Sequence, residues 1–213
     1  MKIFKAVLFD FDGVIGRTME DNYKAWKYAL STYKIPINKN NYFLLEGMST
    51  FKTARYFLKI NSQIKNINNL AKEIVKYKEK HFSKNNTSSL YNGAKSVVKY
   101  LKEKDYCIGM VSGGSYNRIS KMLNGSFIKN FDVIITADRV KKCKPHPYPY
   151  LIAAKRLSLK PSDCISIENA PLGIESAKRA GMYCIAVCST LEREYLRKAD
   201  KIINKISDLK KIL

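Results

Sequence analysis

An α/β protein, built on a doubly wound parallel sheet and interrupted after its first strand by an all-helical insertion, is the fold this 213-residue sequence predicts. Three observations carry the prediction. Ala6-Val7-Leu8-Phe9 is a short, unbroken apolar run that stops at Asp10-Phe11-Asp12-Gly13, the pattern of a strand buried on both faces in the middle of a parallel sheet. From Asp12 to about Ser89 no segment reads as a strand. From Tyr91 onward, helical and strand-like segments alternate, the texture of a doubly wound sheet. The chain therefore divides into a core of residues 1–15 and 90–213 and a helical insertion of residues 16–89.

In order, the insertion opens with a helix over residues 18–33, with Met19, Tyr23, Trp26, Ala29 and Leu30 near a 3.6-residue period and Pro36 after it. A second helix covers residues 50–59, with Phe51, Ala54, Phe57 and Leu58 inward. A third covers 69–82, with Leu70, Ile74, Tyr77 and His81 on one stripe and lysines opposite. The polar run 84–89 is the return linker. In the core, helices over 94–103, 116–123, 149–157 and 172–180 alternate with strands over 107–111, 133–136, 164–167 and 184–187. Residues 191–198 and 207–212 close the chain helically.

Composition bounds the function. An apolar fraction of 46% is ordinary for a globular protein. No apolar stretch approaches the roughly 20 residues of a membrane span, and the run after Lys5 meets a charge too soon for a signal peptide, so the expectation is a soluble, cytoplasmic chain. The five cysteines lack C-x-x-C spacing and fall mostly in or beside core strands, which suits reduced thiols and not a disulfide framework or a zinc site. The net charge of +21 is spread along the whole chain, so a general compositional bias accounts for it; the functional alternative is a positive field that draws in an anionic substrate. Nucleic acid is not an expected partner, because no recognition motif accompanies the charge.

The polar residues that could do chemistry follow predicted core strands. Side chains alternate along a strand, so Asp10 and Asp12 point to one side at the strand's carboxyl end, where open α/β sheets bind ligands. Their mutual repulsion calls for a nearby cation, and a hard divalent ion such as Mg²⁺ fits. Taken alone, the pair also suits a helix N-cap or a solvated turn. Ser112-Gly113-Gly114-Ser115 offers a hydroxyl and unobstructed N–H groups to phosphate oxygens. Lys144 sits in a proline-stiffened loop, Lys144-Pro145-His146-Pro147, and Glu168-Asn169 supplies oxygens just before a helix that Pro171 can start.

Taken together, Asp10-Phe11-Asp12-Gly13, Ser112, Lys144 in Lys144-Pro145-His146-Pro147, and Glu168-Asn169 followed by Gly173 resemble, in order, the four motifs of the haloacid dehalogenase superfamily. The resemblance is to its branch of phosphatases and phosphomutases with a helical cap, and it spans essentially the full chain. It implies a Rossmann-like core under an all-helical cap. It also implies that Asp10 attacks phosphorus, that Asp12 protonates the leaving oxygen and later activates water, and that Ser112, Gly113, Gly114 and Lys144 hold the transferring group. Mg²⁺ would be bound by Asp10, the Asp12 backbone carbonyl, Glu168 and Asn169. The commonest family form has an acid at the position of Asn169, so weaker Mg²⁺ binding is expected here.

The first insertion helix looks particularly like that of the beta-phosphoglucomutases, which clamp a distal phosphate with a basic pair around Gly-x-Ser. This chain has Glu46-Gly47-Met48-Ser49-Thr50, an acid and a threonine in place of the cations, with Arg17 and Lys52 as partial compensation. Glu46, Thr50 and Arg17 are accordingly the candidate leaving-group contacts. Hydrolysis of a small phosphate monoester, such as a sugar phosphate, is the expected reaction; the mutase reaction is the alternative, and a noncatalytic binding protein on a phosphatase fold a second one. Asp12 disfavours dehalogenase and phosphonatase chemistry. The expected partner is a small phosphorylated metabolite, bound by a monomer or weak homodimer. Trp26 and His81 read as packing residues, and His146 as loop packing and not a general base.

Overall fold

The computed structural model describes residues 4–61 and 66–213; residues 1–3 of the expected core and 62–65 of the expected insertion lie outside them. The chain opens with β1 (Ala6–Phe9) and a two-residue strand β2 (Gly16–Arg17). Four cap helices follow, α1 (Met19–Ser31), α2 (Lys39–Leu44), α3 (Thr50–Ile60) and α4 (Ile67–Asn85), and then a second two-residue strand, β3 (Ser89–Leu90). The core resumes with α5 (Ala94–Glu103), β4 (Cys107–Ser112), α6 (Tyr116–Phe127), β5 (Val133–Thr136), α7 (Tyr148–Arg156), β6 (Cys164–Glu168), α8 (Pro171–Arg179), β7 (Tyr183–Val187) and β8 (Lys201–Ile203).

Six strands form one parallel sheet in the order β5-β4-β1-β6-β7-β8. The chain leaves β1 for β4 on one side and later reaches β6 on the other, so the order reverses at β1 and leaves a crevice beyond its carboxyl end. Register puts the chemistry there. Phe9 is level with Met110 of β4 and Ile167 of β6, so Asp10, one residue on, emerges beside the ends of both neighbours.

Both faces of the sheet are covered, which is why β1 carries no polar residue. Val7 and Phe9 pack with α5 and α6 through Val97, Leu101 and Ile119. Ala6 and Leu8 pack on the opposite face with Tyr150 and Ala153 of α7 and Ile174 of α8. The cap has a core of its own around Trp26, Leu30, Phe57, Leu58 and Ile74, where α1 and α3 lean on α4.

The structure departs from the sequence expectations at short elements. A strand does occur between Asp12 and Ser89: β2 pairs antiparallel with β3, Gly16 opposite Leu90 and Arg17 opposite Ser89, so the two crossings between core and cap are tied to each other. Two residues are too few to display a period. Helix α2 has no apolar stripe; it begins where the Asn38 side chain accepts the Asn41 N–H at 3.1 Å. The last strand, β8, was not expected, and the two expected closing helices are 3-10 turns at Arg193–Leu196 and Ile206–Lys211. The inward stripe of α4 is Ala71, Ile74, Lys78 and Phe82, one residue out of phase with the predicted stripe except at Ile74.

Candidate active site

Lys144 is the hub of the crevice. Its ammonium lies 2.6 Å from Asp10 Oδ1 and 2.6 Å from Glu168 Oε1, and it donates to the Val111 carbonyl at 2.8 Å. Tyr150, from the helix after the lysine loop, donates its hydroxyl to the same Glu168 oxygen at 2.5 Å. All four side chains are buried. Burial alone would lower the lysine's pKa, but the two carboxylates against it raise it, and it stays charged. Asp10 moves well above the usual carboxylate range: burial pushes it up, Glu168, Glu46 and Asp12 push further, and Lys144 offsets only part.

One ammonium shared by two carboxylates leaves that cluster short of positive charge. Two oxygens just past the ends of the neighbouring strands β1 and β6 also lack partners: Asp10 Oδ2 and Asn169 Oδ1 are buried and accept no hydrogen bond. Buried acceptors are almost always satisfied, so this pair is the kind of site that a hard cation fills. The Asn169 amide is oriented by its other end, where Nδ2 donates to Thr190 Oγ1 at 3.0 Å. Gly13 (φ +93°) follows Asp12 because a Cβ there would fall 2.0 Å from Asn169 Nδ2. No cluster of three or more His, Cys, Asp or Glu side chains is spaced for a metal among the described residues; the oxygen set is Asp10, Glu168 and the neutral amide.

Asp12 is held by donors on both oxygens. Arg118, in the first turn of α6, donates Nη1 to Oδ1 at 2.7 Å and Nη2 to Oδ2 at 2.5 Å. Thr18 Oγ1 donates to Oδ1 at 2.5 Å and Asn22 Nδ2 to the same oxygen at 3.3 Å. Thr18 stands at the N-cap of α1 but gives the helix no side-chain bond, since its hydroxyl serves Asp12 instead. Burial alone would raise the Asp12 pKa, but the charge and hydrogen bonds of Arg118, joined by Thr18, pull it below its ordinary value.

From the cap, Glu46, Thr50 and Trp26 line the same cavity as Asp12, Gly113 and Gly114. Burial, with help from Asp12, raises the Glu46 carboxyl to about 7, against the opposing pull of the Gly47 N–H, Arg118 and Lys144. The cavity measures about 20 Å³, room for a single water, so the cap is closed on the core. Ser112 Oγ accepts the Gly114 N–H at 3.0 Å and donates to Asp12 Oδ2 at 3.5 Å. The structure thus gathers Asp10, Asp12, Ser112, Gly113, Gly114, Lys144, Glu168, Asn169, Glu46 and Thr50 at one crevice. Arg17 is the exception and a correction: it is exposed on β2 and lines a separate cavity on the hinge side with Ser189 and Asn204. The two-residue pairing with β3 sets it at the crossing between core and insertion, opposite Ser89.

Five participants went unnoticed in the sequence: Thr18, Asn22, Lys78, Arg118 and Tyr150. Two left a signal. Asn22 lies three residues from Met19 and four from Trp26, and Lys78 four from both Ile74 and Phe82, so each interrupts an otherwise apolar buried face. Lys78 donates to Asn22 Oδ1 at 2.7 Å and thereby fixes the amide that faces Asp12. Trp26 belongs to the cap core as expected and also borders the cavity. His81 stacks on Tyr28 with centroids 4.3 Å apart, and His146 Nδ1 accepts the Tyr148 N–H at 3.1 Å.

Comparison with known proteins gives a consistent picture. Residues 7–187 match the sequence pattern of the haloacid dehalogenase-like hydrolases. The chain is 30% identical over 210 residues to a beta-phosphoglucomutase of Bacillus subtilis, covering 96% of this chain and 91% of that protein. It is 24% identical over 205 residues to hexitol phosphatase A of Escherichia coli, covering 96% and 93%. Among solved structures, a putative beta-phosphoglucomutase from Bacteroides vulgatus superposes with a TM-score of 0.88 at 28% identity, covering 99% of this chain and 87% of that one.

Proposed function

The chain belongs to the haloacid dehalogenase-like hydrolase family, and from that membership we propose that it is a Mg²⁺-dependent phosphatase of a small phosphate monoester, a sugar phosphate or similar metabolite. The observation that carries the reading is the shared ammonium: Lys144 against both Asp10 and Glu168, with Asp10 Oδ2 left buried and unpartnered at the switch point of the sheet.

Asp10 is the nucleophile. Its carboxylate attacks phosphorus, the bond to the leaving oxygen breaks, and an acyl phosphate forms on Asp10 that water then hydrolyses. Lys144 holds Asp10 in place and, with the Ser112 hydroxyl and the backbone N–H groups of Gly113 and Gly114, offsets the charge on the transferring oxygens. Asp12, once parted from Arg118 and protonated, gives its proton to the leaving oxygen, and the resulting carboxylate takes one back from the attacking water. Asp10, the Asp12 carbonyl, Glu168 and Asn169 would hold Mg²⁺, which supplies the positive charge that keeps Asp10 ionised and neutralises the phosphoryl oxygens. The closed cap excludes water during the first step, and opening at the β2–β3 crossing admits substrate.

Phosphate release from p-nitrophenyl phosphate with Mg²⁺ tests the reading. Asp10→Asn is expected to lower kcat by about 10³-fold or more. Equal background release by both proteins would overturn it in favour of a noncatalytic role. The phosphomutase reaction is the second reading, favoured by Arg118, a cation at the cavity where Glu46 and Thr50 lack one. Incubation with β-glucose 1-phosphate and a bisphosphate primer separates the two: hydrolysis gives free phosphate, and the mutase gives glucose 6-phosphate.

A further inference from the structure

Arg118 takes no step in the reaction just described, yet the loop before it is shaped to admit it. A Cβ on Gly114 would fall 2.1 Å from Arg118 Nη2, so only glycine there lets the guanidinium reach back over the loop to Asp12. The guanidinium carbon lies 5.8 Å from the ring centroid of Phe11 in the core and 5.4 Å from that of Phe82 in the cap, and so it spans the cleft between them. Lys78 faces the same inner cavity from α4. On the outer side of Arg118, between α4 and α6, lies a cleft of about 540 Å³, enough for a sugar-sized group.

The pairing of Arg118 with Asp12 conflicts with what Asp12 has to do. To exchange a proton with the leaving oxygen, Asp12 must turn an oxygen toward the substrate, and the two-point pair with Arg118 engages both. Breaking that pair strands a desolvated guanidinium, which is costly unless another anion replaces the carboxylate. The other carboxylates near it are poorly placed. Glu79 is paired with Lys78 at 3.1 Å, and Glu46 makes no ion pair with Arg118 among the described residues.

We propose that the substrate brings the replacement. A second anionic group on the leaving group, a carboxylate or a second phosphate, takes the place of Asp12 on Arg118, with Lys78 in reach, and frees Asp12 for proton transfer. Arg118 is then both a specificity-determining and a positioning residue, since its planar fork reads two oxygens of one anion. A neutral leaving group leaves the Asp12–Arg118 pair intact and is turned over slowly. The inference rests on the phosphoryl-transfer reading above.

Matched substrates test it with the natural protein. Glucitol 6-phosphate and 6-phosphogluconate share a carbon chain and differ by one carboxylate; glucose 6-phosphate and glucose 1,6-bisphosphate differ by one phosphate. The anionic member of at least one pair is expected to have the higher kcat/KM by about tenfold or more, and which pair shows it identifies the anion. Arg118→Gln should bring that ratio close to one, and Arg118→Lys should restore part of it. Equal kcat/KM within both pairs would overturn the inference while leaving the phosphatase reading intact. A preference that survives Arg118→Gln would overturn it too, by assigning the anion to another cation. No phosphate transfer or release from any ester would end the functional reading and this inference with it.

Discussion

At the residue scale, Asn169 is where this chain departs from the commonest form of its motif, and its effect can be isolated. The amide is anchored by Thr190, and its oxygen is buried without a partner, so it is placed to accept a cation but brings no charge. Asn169→Asp adds a negative charge at that oxygen without changing the side chain's size. It is expected to lower the Mg²⁺ concentration for half-maximal phosphate release by about tenfold, one charge at ligand distance in a buried site. An unchanged half-saturation point in the Mg²⁺ titration would show that Asn169 does not face the metal. The position was legible in the sequence as an oxygen donor after β6, because strand ends at a switch point are predictable. Arg118 was not: nothing in a lone arginine on an amphipathic helix announces that a glycine four residues earlier opens its path to Asp12.

At the element scale, one edge of the sheet is pinned by a carboxylate. Asp200, just before β8, accepts the Cys184 N–H at 2.7 Å and pairs with Lys178 of α8 at 2.6 Å, which ties β7, β8 and α8 together. Burial would raise its pKa, but the Lys178 bond and the Cys184 N–H lower it below the ordinary value. A depressed carboxylate stabilises the fold above its unfolded-state pKa and loses that contribution as pH falls through the folded value. Asp200 is part exposed, so solvent screening limits its effect to about 1 kcal/mol, or about 2–4 °C in Tm for a chain of this size. Asp200→Asn should therefore lower Tm at pH 7 by that amount, with the gap narrowing in a thermal melt as pH falls below the ordinary carboxylate range. This anchor also explains why so short a strand as β8 forms. Its three residues carry too little pattern to be read from sequence, and a side-chain bond from outside the strand fixes it.

At the scale of the whole molecule, the net charge of +21 is dispersed and lies mostly outside the crevice, where most charged groups are paired. A field of that size raises the encounter rate with an anion and is screened by salt. For a phosphorylated substrate below saturation, kcat/KM is expected to fall several-fold between about 20 mM and 500 mM ionic strength, with kcat nearly unchanged. A kcat/KM independent of salt would leave the charge as a compositional trait. No helix among the described residues is long and apolar enough to cross a membrane. Cap and core meet across a cavity of about 20 Å³; on the proposed reading, substrate enters when the two part about the β2–β3 pair.

The sequence by itself determined the doubly wound core, the helical insertion after β1 and the four polar clusters that meet at the crevice. Each is written in local pattern: a buried parallel strand is an apolar run, its end is a polar break, and alternating periods order the rest. The tertiary structure alone decided which side chains close on those clusters from elsewhere in the chain. Asn22 and Lys78 show in the sequence only as polar breaks in an apolar face, with no sign of what they meet; Arg118 sits on a helix whose own pattern is satisfied without it, and the place of Arg17 follows from a strand pair two residues long. Such contacts depend on how separate elements are set against each other, a distance through space that no spacing along the chain encodes.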